Sequence, residues 1–419
     1  MSTGFGRGPG AVSHVYYGWV LVVTLGVTET ISWGILYYAF TVYLAPMEAE
    51  LGWSRGDMTG AFSLALLLAG LAAIPVGRWL DRHGPRLLMT TGSIAGTLLV
   101  LAWSRVATVQ QLYLIWAGIG LSMSATLYDP AFATASRWFE RQRVRALTVI
   151  TLMAGFASTI FIPLAGWLVQ TTGWRASLTI LALILAVGTI GPHALLLRRR
   201  PEDLGLGPDG GPPIREHAAR ARLPGMRVGE ALRHVSFRWL TAAFWLATIA
   251  TAAVGVHLLP YLADRGYDAT FAATLTGLVG AMQVLARLFL APFGNRVRPR
   301  LLAASILALQ PVSLLVLLLV RSTPGVLLFV ILFGAQRGLA TLARPALIAD
   351  LYGAAEYASI AGVLQFALSL AQAAAPFGAG AAYDALRSYE PILWALAGIS
   401  AVAVAAVLPA RRTAADTLQ

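Results

Sequence analysis

Five ionisable residues, Glu29, Asp129, Arg287, Arg337 and Arg344, fall inside stretches otherwise apolar enough to cross a bilayer. Groups of this kind are costly at membrane depth and usually face a cavity rather than lipid. Arg337 and Arg344 are seven residues apart, two helical turns, so they project from one helix face. Three fixed positive charges against two carboxylates leave one in surplus when both acids are ionised, which favours a monoanion. Arginine suits such a ligand because its planar fork meets a carboxylate bidentately and keeps its proton. Glu29 is the candidate for reversible protonation: a carboxylic acid in a poorly hydrated site favours its neutral form unless Arg337 or Arg287 holds it ionised. Neutralising an arginine is the equally open alternative. His257 could carry protons or line the cavity, although a lone histidine beside Pro260 and Tyr261 more often packs with its hydrogen bonds satisfied. Tyr37, Tyr38 and Tyr128 could present hydroxyls to a ligand, while most other aromatic residues mark membrane interfaces or lipid contacts.

Two absences narrow the chemistry. There is no cysteine, which removes disulfides, thiolate metal sites and cysteine nucleophiles. There is no lysine either, so a Walker-type phosphate loop and Schiff-base cofactors are excluded. With no HExxH pair and no histidine clustered with acids, a membrane-embedded enzyme lacks support, and neither metal nor cofactor is expected.

The elements that position these residues follow from composition. Of 419 residues 58% are hydrophobic and only 12% charged, too few charges to keep a soluble protein of this length wet. At about 20 to 25 apolar residues per crossing, the chain divides into twelve stretches. The first six are Trp19–Ala45, Met58–Leu80, Leu87–Trp103, Val109–Ser136, Ala146–Gln170 and Ala176–Leu197. The second six are Trp239–Ala263, Thr270–Gly294, Leu301–Val320, Val326–Leu351, Ser359–Tyr383 and Ile392–Pro409. Placing both termini in the cytoplasm puts 22 arginines in the inner segments and six in the outer turns, the distribution that sets membrane orientation. No cleavable signal is expected, so the first helix serves as its own insertion signal. The positive charge is a matter of topology and lipid headgroups rather than nucleic acid.

Prolines and glycines from Arg198 to Arg233 mark a cytoplasmic linker between two halves, 1–197 and 237–419, with 198–236 between them. The halves register at a nearly constant shift. Gly52 answers Gly266 at 214 residues, Gly77–Arg86 answers Ala291–Arg300 at 214, Asp129-Pro130 answers Arg344-Pro345 at 215, and Pro163 answers Pro376 at 213. A duplicated six-helix unit in parallel orientation is built to rock about a central site. Asp129 and Arg344 could therefore bridge the halves when the inner side closes, with Arg82 and Arg137 as the alternative partners of Asp129. Pro130 and Pro345 leave the carbonyls of Thr126 and Thr341 without helical partners, which predicts bends at matching depths. Small-residue runs such as Gly155–Ser158 allow close helix approach.

The run Gly77-Arg78-Trp79-Leu80-Asp81-Arg82-His83-Gly84-Pro85-Arg86 closely resembles the loop signature of the major facilitator superfamily. Tyr17-Gly18-Trp19, Leu51-Gly52-Trp53-Ser54-Arg55, Arg137-Trp138-Phe139, Arg200–Leu206 and Arg287 look like its monocarboxylate transporter and oxalate:formate antiporter branch. The resemblance implies an all-α polytopic fold, twelve transmembrane helices in two pseudo-symmetric six-helix bundles. It also implies that helices 1, 4, 7 and 10 line the central cavity, with Glu29, Asp129, Arg337 and Arg344 on three of them. By the same resemblance Arg287 contacts a substrate carboxylate. Gln283 stands where many relatives carry aspartate, and helix 1 offers Tyr37 and Tyr38 but no lysine. Asp81, Arg82 and Arg86, at the tight Gly84-Pro85 turn, are expected to bias a conformational equilibrium rather than touch substrate; a purely topological role is the alternative.

These readings converge on a secondary active transporter of the cell membrane working by alternating access. Its expected cargo is a small organic monoanion, moved by proton symport or anion exchange, with Arg287, Arg337, Tyr37, Tyr38, Gln283 and His257 as the binding set. The protein is expected to be monomeric. The rivals are a proton-driven multidrug exporter and a membrane sensor without flux.

Overall fold

The computed structural model describes residues 16–211, 226–290, 299–352 and 357–409. Among them the chain is helical and contains no strand. The first half comprises α1 (Tyr17–Leu51), α2 (Arg55–His83), α3 (Pro85–Trp103), α4 (Val109–Thr126, then Tyr128–Trp138), α5 (Arg143–Ala154, then Ala157–Thr172) and α6 (Trp174–Leu196). The second comprises α7 (Val235–Asp264), α8 (Ala269–Leu290), α9 (Pro299–Leu319), α10 (Thr323–Tyr352), α11 (Tyr357–Leu386) and α12 (Glu390–Val407). Arg7, Arg215, Arg220, Arg222, Arg296, Arg298, Arg411 and Arg412 lie outside the described residues, as do Ala291 and Asn295 of the second loop copy.

Eleven helices among the described residues are long and apolar enough to span a membrane, one fewer than the twelve crossings read from the sequence. The exception is α4, broken at Leu127, whose backbone is extended (φ −90°, ψ −162°). The cause lies three residues on: Pro130 has no N–H to donate to the Thr126 carbonyl, so the helix cannot pass through unchanged. α10 runs past Thr341 and Arg344 as one continuous helix, so the two halves differ here; the side chain of Pro345 lies outside the described residues.

Large apolar side chains point outward, including Val187 (81% exposed) and Leu114 (75%), as a lipid-facing exterior requires. Inside the first half, Phe40 stacks on Phe62 at 4.6 Å and Trp103 meets Trp116 edge-on at 4.9 Å, all fully buried. The halves meet along α5–α8 and α2–α11. On α8 a Cβ at Gly280 would stand 2.8 Å from the Gly155 carbonyl, and one at Gly277 would stand 2.9 Å from that of Ser158. Only glycine lets these backbones approach so closely.

The described part of the segment after α6, through Gly211, is docked on the first half. Asp209, itself at φ +57°, accepts from the backbone N–H groups of Glu140 (3.0 Å), Arg141 (2.7 Å) and Gln142 (3.1 Å) at the start of α5. Tyr16 donates to the Trp138 carbonyl at 2.8 Å, beneath the same loop. On the other half, Met226 donates to the Tyr352 carbonyl at 2.9 Å. The slight burial of the Asp209 carboxyl pushes its pKa up, but the three backbone donors outweigh this and hold it below the usual aspartate value. A depressed folded-state value means that the stabilisation is fully present above about pH 4 and fades as pH falls through the folded value. Asp209→Ala should therefore cost about 1 kcal/mol near neutrality, as loss of a helix cap does. Thermal melts of both proteins from pH 7 to pH 3 should converge; a gap of constant size would assign the effect to something other than the carboxylate.

Candidate functional site

Two of the three sequence-predicted arginines, Arg287 and Arg337, lie within electrostatic range of each other where the halves face each other. Arg337 on α10 lines a cavity with Tyr38 of α1, Ser158 and Ile162 of α5, and Val254 and Gly255 of α7. Its Nη1 stands 4.0 Å from where a Cβ on Gly255 would sit. The guanidinium is half-buried and makes no hydrogen bond or ion pair among the described residues. The cavity here is about 10 Å³, room for about one water.

Arg287 on α8 is also half-buried, and its partners are backbone carbonyls, Gly338 at 3.2 Å and Thr151 of the opposite half at 3.4 Å. No carboxylate neutralises it among the described residues. It lies within electrostatic range of Arg337, Tyr38 and Tyr128, while Arg337 also reaches Tyr37. The hydroxyls of Tyr37, Tyr38 and Tyr128 make no hydrogen bond among the described residues. Gln283, one turn before Arg287, is buried where Gly338 packs directly on its backbone.

Glu29 is fully buried, and neither carboxyl oxygen has a hydrogen-bond partner among the described residues. The Trp33 indole approaches it without reaching hydrogen-bond geometry, and Asp129 and Tyr128 are its other electrostatic neighbours. No described arginine pairs with it, so a charge held there would be uncompensated. Asp129 is exposed and makes no hydrogen bond or ion pair among the described residues. The bridge to Arg344, and the alternatives to Arg82 and Arg137, are therefore not formed in this state. Arg344 is half-buried on α10.

His257 does not join the arginine cavity. Its Nε2 donates to the Pro376 carbonyl (3.0 Å), which leaves Nδ1 to accept from the Tyr389 hydroxyl (2.9 Å), so the ring is a satisfied packing group. Arg55, read from the sequence as one of the outer-turn arginines and as the end of the branch-like run Leu51–Arg55, is the centre of a network closing one end of the protein. Its Nε meets Glu48 at 2.8 Å, Nη1 and Nη2 meet Asp264 at 3.0 and 3.2 Å, and Nη1 donates to Tyr389 at 3.0 Å. The guanidinium covers the Tyr383 ring at 4.1 Å. Asp384 accepts from the backbone N–H groups of Arg55 (3.2 Å) and Gly56 (2.7 Å). Five helices, α1, α2, α7, α11 and α12, are thus tied around one side chain that is 5% exposed. Thr41, deeper in α1, donates to the Val256 carbonyl of α7 at 2.6 Å.

At the opposite end, Arg82 and Arg86 are exposed and make no hydrogen bond or ion pair among the described residues, while the side chain of Asp81 lies outside them. The turn itself is tightly specified. Gly84 has φ +81°, and a Cβ there would collide with the Arg199 stem at 2.7 Å. Arg137 donates to the Leu80 carbonyl near the end of α2 at 2.9 Å, joining α4 to this loop.

A family model described as Major Facilitator Superfamily matches residues 25–376. Monocarboxylate transporter 13 of Bos taurus is 26% identical over 84% of this chain and 80% of its own length. Monocarboxylate transporter 11 of Homo sapiens is 31% identical over 68% and 59% respectively, and the oxalate:formate antiporter of Oxalobacter formigenes is 27% identical over 36% of each. Among solved structures, a mutant of the nucleoside transporter NupG superposes with TM-score 0.72 at 12% identity, over 94% of this chain and all of that one. A bacterial homologue of the human lysosomal transporter Spinster gives 0.64 at 17%, over 96% and 95%.

Proposed function

The chain belongs to the Major Facilitator Superfamily, and from that premise we propose that this transporter carries a small organic monoanion of the monocarboxylate type by alternating access. The observation that carries the reading is Arg337: a guanidinium at the interface between the halves, unpaired among the described residues and facing a cavity. Arg287 beside it offers a second cation whose bonds among the described residues go only to carbonyls. Two such groups attract an anion and bind a carboxylate through their planar forks. The relatedness to monocarboxylate transporters supports the same cargo.

The linker end is assigned to the cytoplasm on the 22 to 6 arginine distribution, with the boundary between halves in residues 198–236. On that assignment the Arg55 network closes the external side, and the unformed Asp129–Arg344 bridge is a contact of the outward-open state. Asp81, Arg82 and Arg86 act on this equilibrium at the linker end. Tyr37, Tyr38 and Gln283 complete the binding set. Reconstituted protein should exchange labelled monocarboxylates in counterflow; absence of exchange with lactate, pyruvate and aromatic acids alike would remove the assignment.

Glu29 is proposed as the proton carrier of a symport cycle. Glu29→Gln mimics the protonated acid permanently, so accumulation driven by a proton gradient should fall to the level seen without a gradient while counterflow continues. Equal gradient-driven accumulation by both proteins would leave Glu29 a structural residue.

A further inference from the structure

The binding site is divided in kind between the halves: the second half supplies guanidinium groups, and the first supplies rings. The rings are placed by an irregularity in α1. Residues Trp33–Tyr38 form a π-helical turn, a feature that recurs at functional sites because its wider winding re-aims side chains. Here it sets two consecutive tyrosines beneath one indole, Tyr37 at 5.1 Å and Tyr38 at 6.2 Å from the Trp33 ring. From α4, just past the break at Leu127, Tyr128 lies 5.0 Å from Trp33. All four rings are only half-buried, unlike the fully buried Phe40, Phe62 and Trp116 of the core beside them. The Trp33 indole N–H and the three tyrosine hydroxyls make no hydrogen bond among the described residues.

A ring cluster whose only purpose was packing would bury its faces, as Phe40, Phe62 and Trp116 do. This one leaves all four rings partly exposed, with Tyr37 within electrostatic range of Arg337 and Tyr38 and Tyr128 within range of Arg287. A two- or three-carbon acid held on Arg337 would leave that wall unused. We propose that the site is built for a monocarboxylate carrying an aromatic ring, its carboxylate on Arg337 and Arg287 and its ring against Trp33 and Tyr128. This rests on the monoanion reading above and names the cargo within it. The ring would enter with the halves apart, since the cavity is narrow in the state described.

The test is direct binding to the purified full chain, by titration calorimetry, of benzoate and phenylacetate against acetate, lactate and cyclohexanecarboxylate. The last matches benzoate in size and apolarity but has no π face. Benzoate should bind about tenfold more tightly than cyclohexanecarboxylate, the scale of one or two ring contacts, and acetate should be weakest. Trp33→Leu should shrink the benzoate to cyclohexanecarboxylate ratio toward one, and Trp33→Phe should restore much of it. Equal affinity for the two six-membered rings, or tighter binding of acetate or lactate, would overturn the aromatic assignment while leaving the monocarboxylate reading in place. Failure of every acid to bind would remove both.

Discussion

Arg337→Gln should reduce monocarboxylate counterflow by about a hundredfold or more, with the protein still folded and membrane-inserted. The magnitude follows from removing one member of a desolvated charge pair, typically about 2–5 kcal/mol, where each 1.4 kcal/mol is about tenfold. The unaltered fold follows from the geometry. Arg337 makes no hydrogen bond or ion pair among the described residues in this state, so truncating its charge breaks nothing on which the empty protein depends. Relieving an uncompensated half-buried cation can even raise the melting temperature. Loss of transport with equal or higher stability is a signature that a structural arginine cannot produce. Arg287→Gln should differ, because it also removes bonds to Gly338 and to Thr151 of the other half, so transport and stability should fall together. Arg337→Lys should lie between, keeping the charge but losing the fork. Wild-type counterflow by Arg337→Gln would take Arg337 out of the site and leave the anion reading without its main support.

The contrast between the two arginines marks how far the sequence could be read. Lipid forces every crossing to be a long apolar helix, so the spans were legible from hydropathy alone. The break in α4 was legible in cause, through Pro130, but its form as a complete interruption at Leu127 was not. The arginines and Glu29 stood out because ionisable residues are rare at that depth. Which of them remain unpaired could not be read, since pairing depends on helix rotation and depth across two halves. The π-helical turn at Trp33–Tyr38 has no spacing rule that announces it, so the tyrosines were visible as candidates while their arrangement under Trp33 was not. Asp209 looked like one more residue of a proline- and glycine-rich linker, although its three backbone bonds make it a cap supplied from about 70 residues away. His257 was misplaced for a related reason: a histidine near a helix end reads the same whether it faces a cavity or a neighbouring carbonyl.

Arg55 was missed most completely, and its replacement should have the second large effect. Its partners Glu48, Asp264 and Asp384 lie at the ends of three different helices, and no local pattern joins them. The one available signal was that all three acids fall at the end where arginines are fewest. In Arg55→Leu the carboxylates of Glu48 and Asp264 lose their shared cation and repel each other. Breaking a buried pair from one side costs about 3–5 kcal/mol. Here the acid side chains are 30% and 34% exposed and can rehydrate when the helices part, so a smaller cost is expected. A loss of about 2–3 kcal/mol in the closed state alone shifts the equilibrium toward opening at this end by about 30- to 150-fold. The chain contains no cysteine, so a single Thr41→Cys change gives a clean reporter: Thr41 is 3% exposed behind the Arg55 network and bonded to Val256. An impermeant maleimide applied from the Arg55 side should label it at least tenfold faster in the Arg55→Leu background than with Arg55 present, and Arg55→Lys should fall between. Identical labelling rates would show that Arg55 braces helix ends without latching them, and closure of this face would then rest on the α1–α7 packing around Thr41 and Val256.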